Sequence, residues 1–163
     1  MLGGIALNSF DILKVLYYDT PQVYASISGK GITGMMTAYK YLDGSLVMVE
    51  VSGLPQTNCN QGIHALHIHA GDSCMGDKED PYKNAGSHFS MNDCPHPYHT
   101  GDLPPLFSNQ GYAWMCVYTD KFSPDQIVNR TIIIHEKVDD FTSQPAGNAG
   151  KKIACGVIKV LAS

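Results

Sequence analysis

The sequence predicts an all-β fold: a Greek-key β-barrel or sandwich of antiparallel strands carrying two long functional loops. Three observations lead there. Apolar and polar residues alternate with period two along several short segments, Gly and Asp turn signals separate those segments, and helical periodicity is confined to Phe10–Leu16. The strands are expected at "QVYASISG" (22–29), "GMMTAYKYL" (34–42) and "SLVMVEVSG" (45–53), the last two joined by Asp43-Gly44, a strong hairpin signal. Four more are expected at 62–69, 111–119, 129–136 and 153–161. Residues 1–20 read as an N-terminal extension and 21–163 as one domain. In "AWMCVY", Trp114 and Cys116 read as core residues.

Composition narrows the function. Hydrophobic residues make up 44% of the 163 and charged ones 16%, as in globular proteins rather than disordered ones. A net charge of −4, with Lys151-Lys152 the only adjacent basic pair, argues against a nucleic-acid binder that tracks phosphates. No apolar run reaches the ~18 residues of a membrane span. "MLGGIALNSFDILKVL" has no basic leader and no clear cleavage site, so it does not read as a signal peptide. Phosphate-binding glycine loops and a G-x-S-x-G nucleophile are absent, and neither Ser nor Cys has a clear base partner.

Residues 71–110 break the β pattern. They are rich in Gly, Asp, Pro and Asn, and far exceed the ~12–15 residues that compact domains usually leave without structure. Metal binding can order such a segment in place of a hydrophobic core. A second long connection, 137–152, follows the strand at 129–136, and the two are candidate walls of one site on a rigid sheet.

The histidines support that reading. "HALHIHAGDSC" (64–74) holds three of the chain's seven. His67 and His69, two apart on a strand, project from one face and can grip one ion, whereas an unbroken strand points His64 the other way. "HPYHTGD" supplies His96, His99 and Asp102 at three-residue steps, a donor set suited to zinc, with His88 of "AGSHF" as a fourth member. His135 follows the apolar "TIII", where an unpartnered imidazole is costly to bury.

Five stretches, "LHIHAGDSC", "AGSHF", "HTGDLPPL", "RTIIIHEKVDD" and "GNAGKKIACGVI", resemble the copper–zinc superoxide dismutase family in identity and order. The resemblance implies a dismutase that converts superoxide to dioxygen and hydrogen peroxide. It assigns copper to His67, His69, His88 and His135, and zinc to His88, His96, His99 and Asp102, with His88 bridging both ions and carrying a proton. It further implies a Cys74–Cys155 disulfide and makes Asp139 the carboxylate that orients His67 and His96. A homodimer is common in the family. A second reading keeps the metals but gives them a storage, delivery or structural role. The disulfide favours an extracytoplasmic or secreted setting, while the lack of a legible leader keeps a cytoplasmic one open.

The chain departs from the family pattern in several places. Lys152 stands where the family has its active-site arginine, keeping the positive charge for superoxide but losing the planar fork of donors. Ala146 replaces a threonine that often precedes "GNAG". The 137–152 connection lacks the charge cluster that steers substrate in many members, leaving Lys151 and Lys152 to supply some of that attraction. Cys94 is weighed as a zinc thiolate or as a partner of Cys59.

Overall fold

A computed structural model describes residues 9–56 and 62–162. Cys59 therefore lies outside the described residues. The strands are β1 (Val23–Gly29), β2 (Ile32–Tyr41), β3 (Gly44–Ser52), β4 (Ile63–His64), β5 (Leu66–His69), β6 (Leu106–Phe107), β7 (Ala113–Thr119), β8 (Thr131–His135), β9 (Lys152–Val157) and β10 (Lys159–Val160). Among the described residues, the helix α1 (Ser9–Tyr18) precedes them. The main sheet is antiparallel and runs β5-β8-β9-β1-β2-β3-β7, with β10 added beside β1. The non-sequential pairs β5–β8 and β3–β7 are the Greek-key crossovers. The sheet curls around Val23, Ala25, Ile27, Met36, Val47, Val49, Leu66, Ile68, Ile132 and Ile134. A short β4–β6 ribbon lies against the two outer strands, because β4 runs into β5 and β6 precedes β7.

Two expected strands are interrupted. The segment expected at 62–69 breaks at Ala65, whose N–H donates to the Lys137 carbonyl while its own carbonyl accepts from His135 N–H. The segment expected at 153–161 breaks at Ile158, which pairs with Arg130 and Asn129. β7 also corrects an expectation. Ala113, Met115 and Val117 face the core, so Trp114 and Cys116 fall on the outer face, with Trp114 52% exposed. An aromatic-rich strand does not announce which of its two faces is inside.

The outer face of β5, β8 and β9 positions the site. Leu66 and Ile68 point inward, so His67 and His69 point outward, alongside His135 on β8. Ile133 and Cys155 share this outer face and form a small second cluster with Ala85, Cys74 and Tyr82. The long segment 71–105 covers it, anchored by the Cys74–Cys155 disulfide, whose Cα atoms are 5.7 Å apart. The same segment satisfies the edge of β5 that β8 leaves free. Ile68 N–H donates to the Gly101 carbonyl at 2.9 Å, and the Ile68 carbonyl accepts from Phe89 N–H at 2.8 Å. This pairing brings His88 opposite His69 and Asp102 opposite His67.

The disulfide spans 81 residues, for which the chain-entropy account gives about 4–5 kcal/mol of stabilisation. A Cys74→Ser, Cys155→Ser double variant is expected to lose about 2–5 kcal/mol in denaturant unfolding relative to the oxidised protein. Equal unfolding midpoints would contradict this anchoring role.

Candidate metal centre

Two groups of donors converge on the covered face. His67, His69, His88 and His135 form one and His88, His96, His99 and Asp102 the other; within each group the ligand atoms lie within 4.8 Å of one another. His88 belongs to both. All of these residues are buried except His99, which is intermediate.

Hydrogen bonds decide which nitrogen of each ring faces the centre. A carbonyl or carboxylate only accepts, so the ring nitrogen beside it carries the hydrogen and the other keeps its lone pair. His67 Nε2–H donates to Asp139 Oδ2 at 2.8 Å, which leaves Nδ1 buried and without a partner. His69 Nδ1–H donates to the Gly86 carbonyl at 2.8 Å and His135 Nδ1–H to the Gly150 carbonyl at 3.3 Å. The Nε2 atoms of His69 and His135 then confront each other as two lone pairs 3.3 Å apart. Such a contact is repulsive until a cation lies between them. His88 Nε2 is likewise buried without a partner, while its Nδ1 lies 2.7 Å from Asp102 Oδ1. The first donor set therefore fits copper: buried imidazoles with unused lone pairs aimed at one place.

In the second set, His96 Nδ1 and His99 Nδ1 lie 3.2 and 3.1 Å from Asp102 Oδ2, yet neither makes a hydrogen bond. Three imidazoles around one carboxylate fit zinc. The step from His96 to His99 is closed by a tight turn in which Tyr98 N–H donates to the Pro95 carbonyl at 2.9 Å.

Asp139 ties the sets together. Its Oδ1 accepts from His96 Nε2–H at 2.8 Å and its Oδ2 from His67 Nε2–H. Burial would raise its pKa, but the hydrogen bonds from His67, His96 and the Phe141 N–H outweigh that and hold it at about 2. Gly147, in the left-handed region at φ 64°, passes close behind, and a Cβ there would strike the Asp139 carboxylate and the His96 ring.

Several supporting residues escaped the sequence reading. Gln144 Nε2 donates to the His96 carbonyl at 2.8 Å and its Oε1 accepts from His96 N–H at 3.1 Å, joining the two loops. Lys121 Nζ donates to the carbonyls of His99 and Asp102 at 3.2 and 3.1 Å. Gly86 and Gly150 act through backbone carbonyls, which leave no mark in a sequence. His64 stays out of both sets as expected, but for a different reason. The strand is broken beside it, and its ring is buried between the carbonyls of His135 and Pro55.

A cavity of about 1000 Å³ opens over the first set and is lined by His69, His88, His135, Ala146, Lys151 and Lys152, among others. Lys152, the positive charge that the sequence offers to an anion, is paired here, because its Nζ donates to Asp80 Oδ2 at 2.6 Å. Cys94 lines the same cavity; it is absent from the zinc-type set and forms no disulfide among the described residues.

A curled antiparallel barrel with two adjoining histidine sets, one residue common to both, defines a protein built around paired metal sites. The chain belongs to the copper/zinc superoxide dismutase family, whose sequence model matches residues 32–158. It is 32% identical to a copper–zinc superoxide dismutase of Deinococcus radiodurans, over 80% of this chain and 79% of that protein. It is 29% identical to copper–zinc superoxide dismutase 2 of Aquifex aeolicus, over 97% and 98%. Among solved structures it is similar to the Cu/Zn superoxide dismutase from Brucella abortus, with TM-score 0.71 and 26% identity, covering 82% of this chain and 97% of that one. It is equally similar to the clock protein EA4, with TM-score 0.71 and 31% identity, covering 87% and 96%.

Acid tests the buried rings. Burial lowers His69 to about 2 and His135 to about 3, with neighbouring positive charge adding to the effect at both. In the unfolded chain each takes up a proton near the ordinary value of about 6.5. The metal-free protein is therefore expected to lose stability progressively as pH falls from about 6.5 toward about 3, since the unfolded state binds those protons first. Urea midpoints measured between pH 7 and pH 4 check this, and a flat profile would contradict it.

Proposed function

We propose that this protein is a superoxide dismutase with a dinuclear centre. His67, His69, His88 and His135 hold copper, and His88, His96, His99 and Asp102 hold zinc. The observation that carries the reading is the set of unpartnered ring nitrogens on His67 and His88 beside the opposed Nε2 atoms of His69 and His135. Copper held there would supply the one-electron redox chemistry by which two superoxides and two protons yield dioxygen and hydrogen peroxide.

The chain's own residues do the rest. Asp139, Gly86 and Gly150 fix three ring tautomers, so the lone pairs are aimed before any ion arrives. His88 belongs to both sets, with Nδ1 beside Asp102 and Nε2 buried without a partner, which suits it to bridge the ions and to hold and release a proton at Nε2. Lys152, next to His135 in the β8–β9 ladder, places a cation paired with Asp80 in the wall of the cavity an anion would enter. We place the protein in an oxidising compartment outside the cytoplasm, a setting supported by the Cys74–Cys155 disulfide.

Metal-reconstituted protein is expected to bind copper and zinc and to dismutate superoxide. His135→Ala is expected to lose activity while retaining zinc. His88→Ala is expected to loosen zinc and lower dismutation by ~10²-fold or more. Bound copper with no activity above that of His135→Ala would favour a storage or delivery role instead, and unchanged zinc affinity in His88→Ala would refute the bridge.

A further inference from the structure

The loop that carries the disulfide also reaches the cavity wall. Asp80 lies six residues beyond Cys74, in a turn where Asp77 accepts from the N–H groups of Glu79 and Asp80, both at 2.9 Å. Its carboxylate is held at both oxygens. Oδ1 accepts from Tyr82 N–H at 3.1 Å and Oδ2 from Lys152 Nζ at 2.6 Å. Tyr82 is itself packed against the cluster of Ala85, Ile133 and Cys155. The Lys152 side chain is 16% exposed and that of Asp80 42%, so the lysine end of the pair is shielded while the carboxylate end meets solvent.

We propose that Asp80 is a positioning residue that restrains Lys152 and offsets its charge, setting how strongly the cavity attracts a small anion. The assignment rests on the dismutase reading for the identity of that anion as superoxide. The lining of the cavity gives the pair its weight, because three lysines there face four carboxylates. There is no surplus of positive side-chain charge, so a lysine bound to a carboxylate leaves little attraction at the mouth. A second consequence concerns geometry. Lysine is a flexible point charge and holds a fixed place only where a partner holds it, whereas an arginine brings a planar fork of its own.

Azide serves as the probe, titrated against copper- and zinc-loaded protein and followed by its absorption change. Asp80→Asn keeps the shape and removes the charge. It is expected to tighten azide binding, and to raise kcat/KM at low ionic strength, by about threefold to tenfold. The rate of the variant is also expected to fall more steeply with added salt than that of the parent. Lys152→Met is expected to weaken azide binding and, combined with Asp80→Asn, to cancel the gain.

Unchanged or weaker azide binding in Asp80→Asn would overturn the proposal, as would a gain that persists without Lys152. Failure of the dismutase reading looks different. Copper-loaded protein would then be inactive, while the azide shift between parent and Asp80→Asn could still be read.

Discussion

Everything at this centre depends on burying imidazole rings whose unused lone pairs point at one another. β5 and β8 turn His67, His69 and His135 away from the barrel core, toward a face that solvent would ordinarily cover. A 71–105 cover takes the place of solvent, so the rings cannot shed the cost by exchanging their partners for water. Each outer N–H is already committed to Asp139, Gly86 or Gly150. The inner nitrogens are therefore acceptors without donors, an arrangement that a cation relieves and a proton relieves only at the cost of a buried charge. The expected metal affinity and the expected acid sensitivity of the metal-free protein share this one cause.

The two loops have little apolar material of their own, and the structure shows what orders them instead. The 71–105 segment is tied at one end by Cys74–Cys155 and along its length by the free edge of β5. The 136–151 segment is seated by Ala65 and by backbone pairs between Lys137 and Ala149 and between Glu136 and Lys151. The loops then hold one another through Asp139 on His96 and through the reciprocal contacts of Gln144 with the His96 backbone. His96 is thus a junction as well as a ligand candidate, because its ring and its main chain both bind residues of the second loop.

Much of this was legible from the chain. Two histidines two apart on an alternating strand must share a face, and forty residues with no element pattern between ordinary strands need something other than a core. What the sequence could not display falls into two kinds. Backbone acceptors such as the Gly86 and Gly150 carbonyls are chemically identical to every other carbonyl in the chain, so only folding singles them out. Ion pairs such as Asp80–Lys152 and clamps such as Lys121 on the His99–Asp102 turn join residues far apart in the chain, and charged side chains carry no periodicity that reports their partner. β7 shows a third limit. Apolar residues on both faces erase the alternation, so Trp114 and Cys116 read as core although they point outward.

A lysine at position 152, where the resemblance implies an arginine, makes sense when the charge of the proposed filled centre is considered. In the proposed filled centre, two divalent ions would bring four positive charges, against which would stand Asp102, Asp139 and, were His88 shared as an imidazolate, one more negative charge. The remainder would be a positive centre before any lysine is counted, lying beneath the cavity, where low-dielectric walls focus a field. On that reading an anion would be drawn inward by the metals themselves, and the side chain at the rim would set how steep that pull is. Lys152 bound to Asp80 can then fasten the disulfide-bearing loop to β9, which a wholly free cation would not do. The cavity wall gains rigidity from the same pair that moderates its charge.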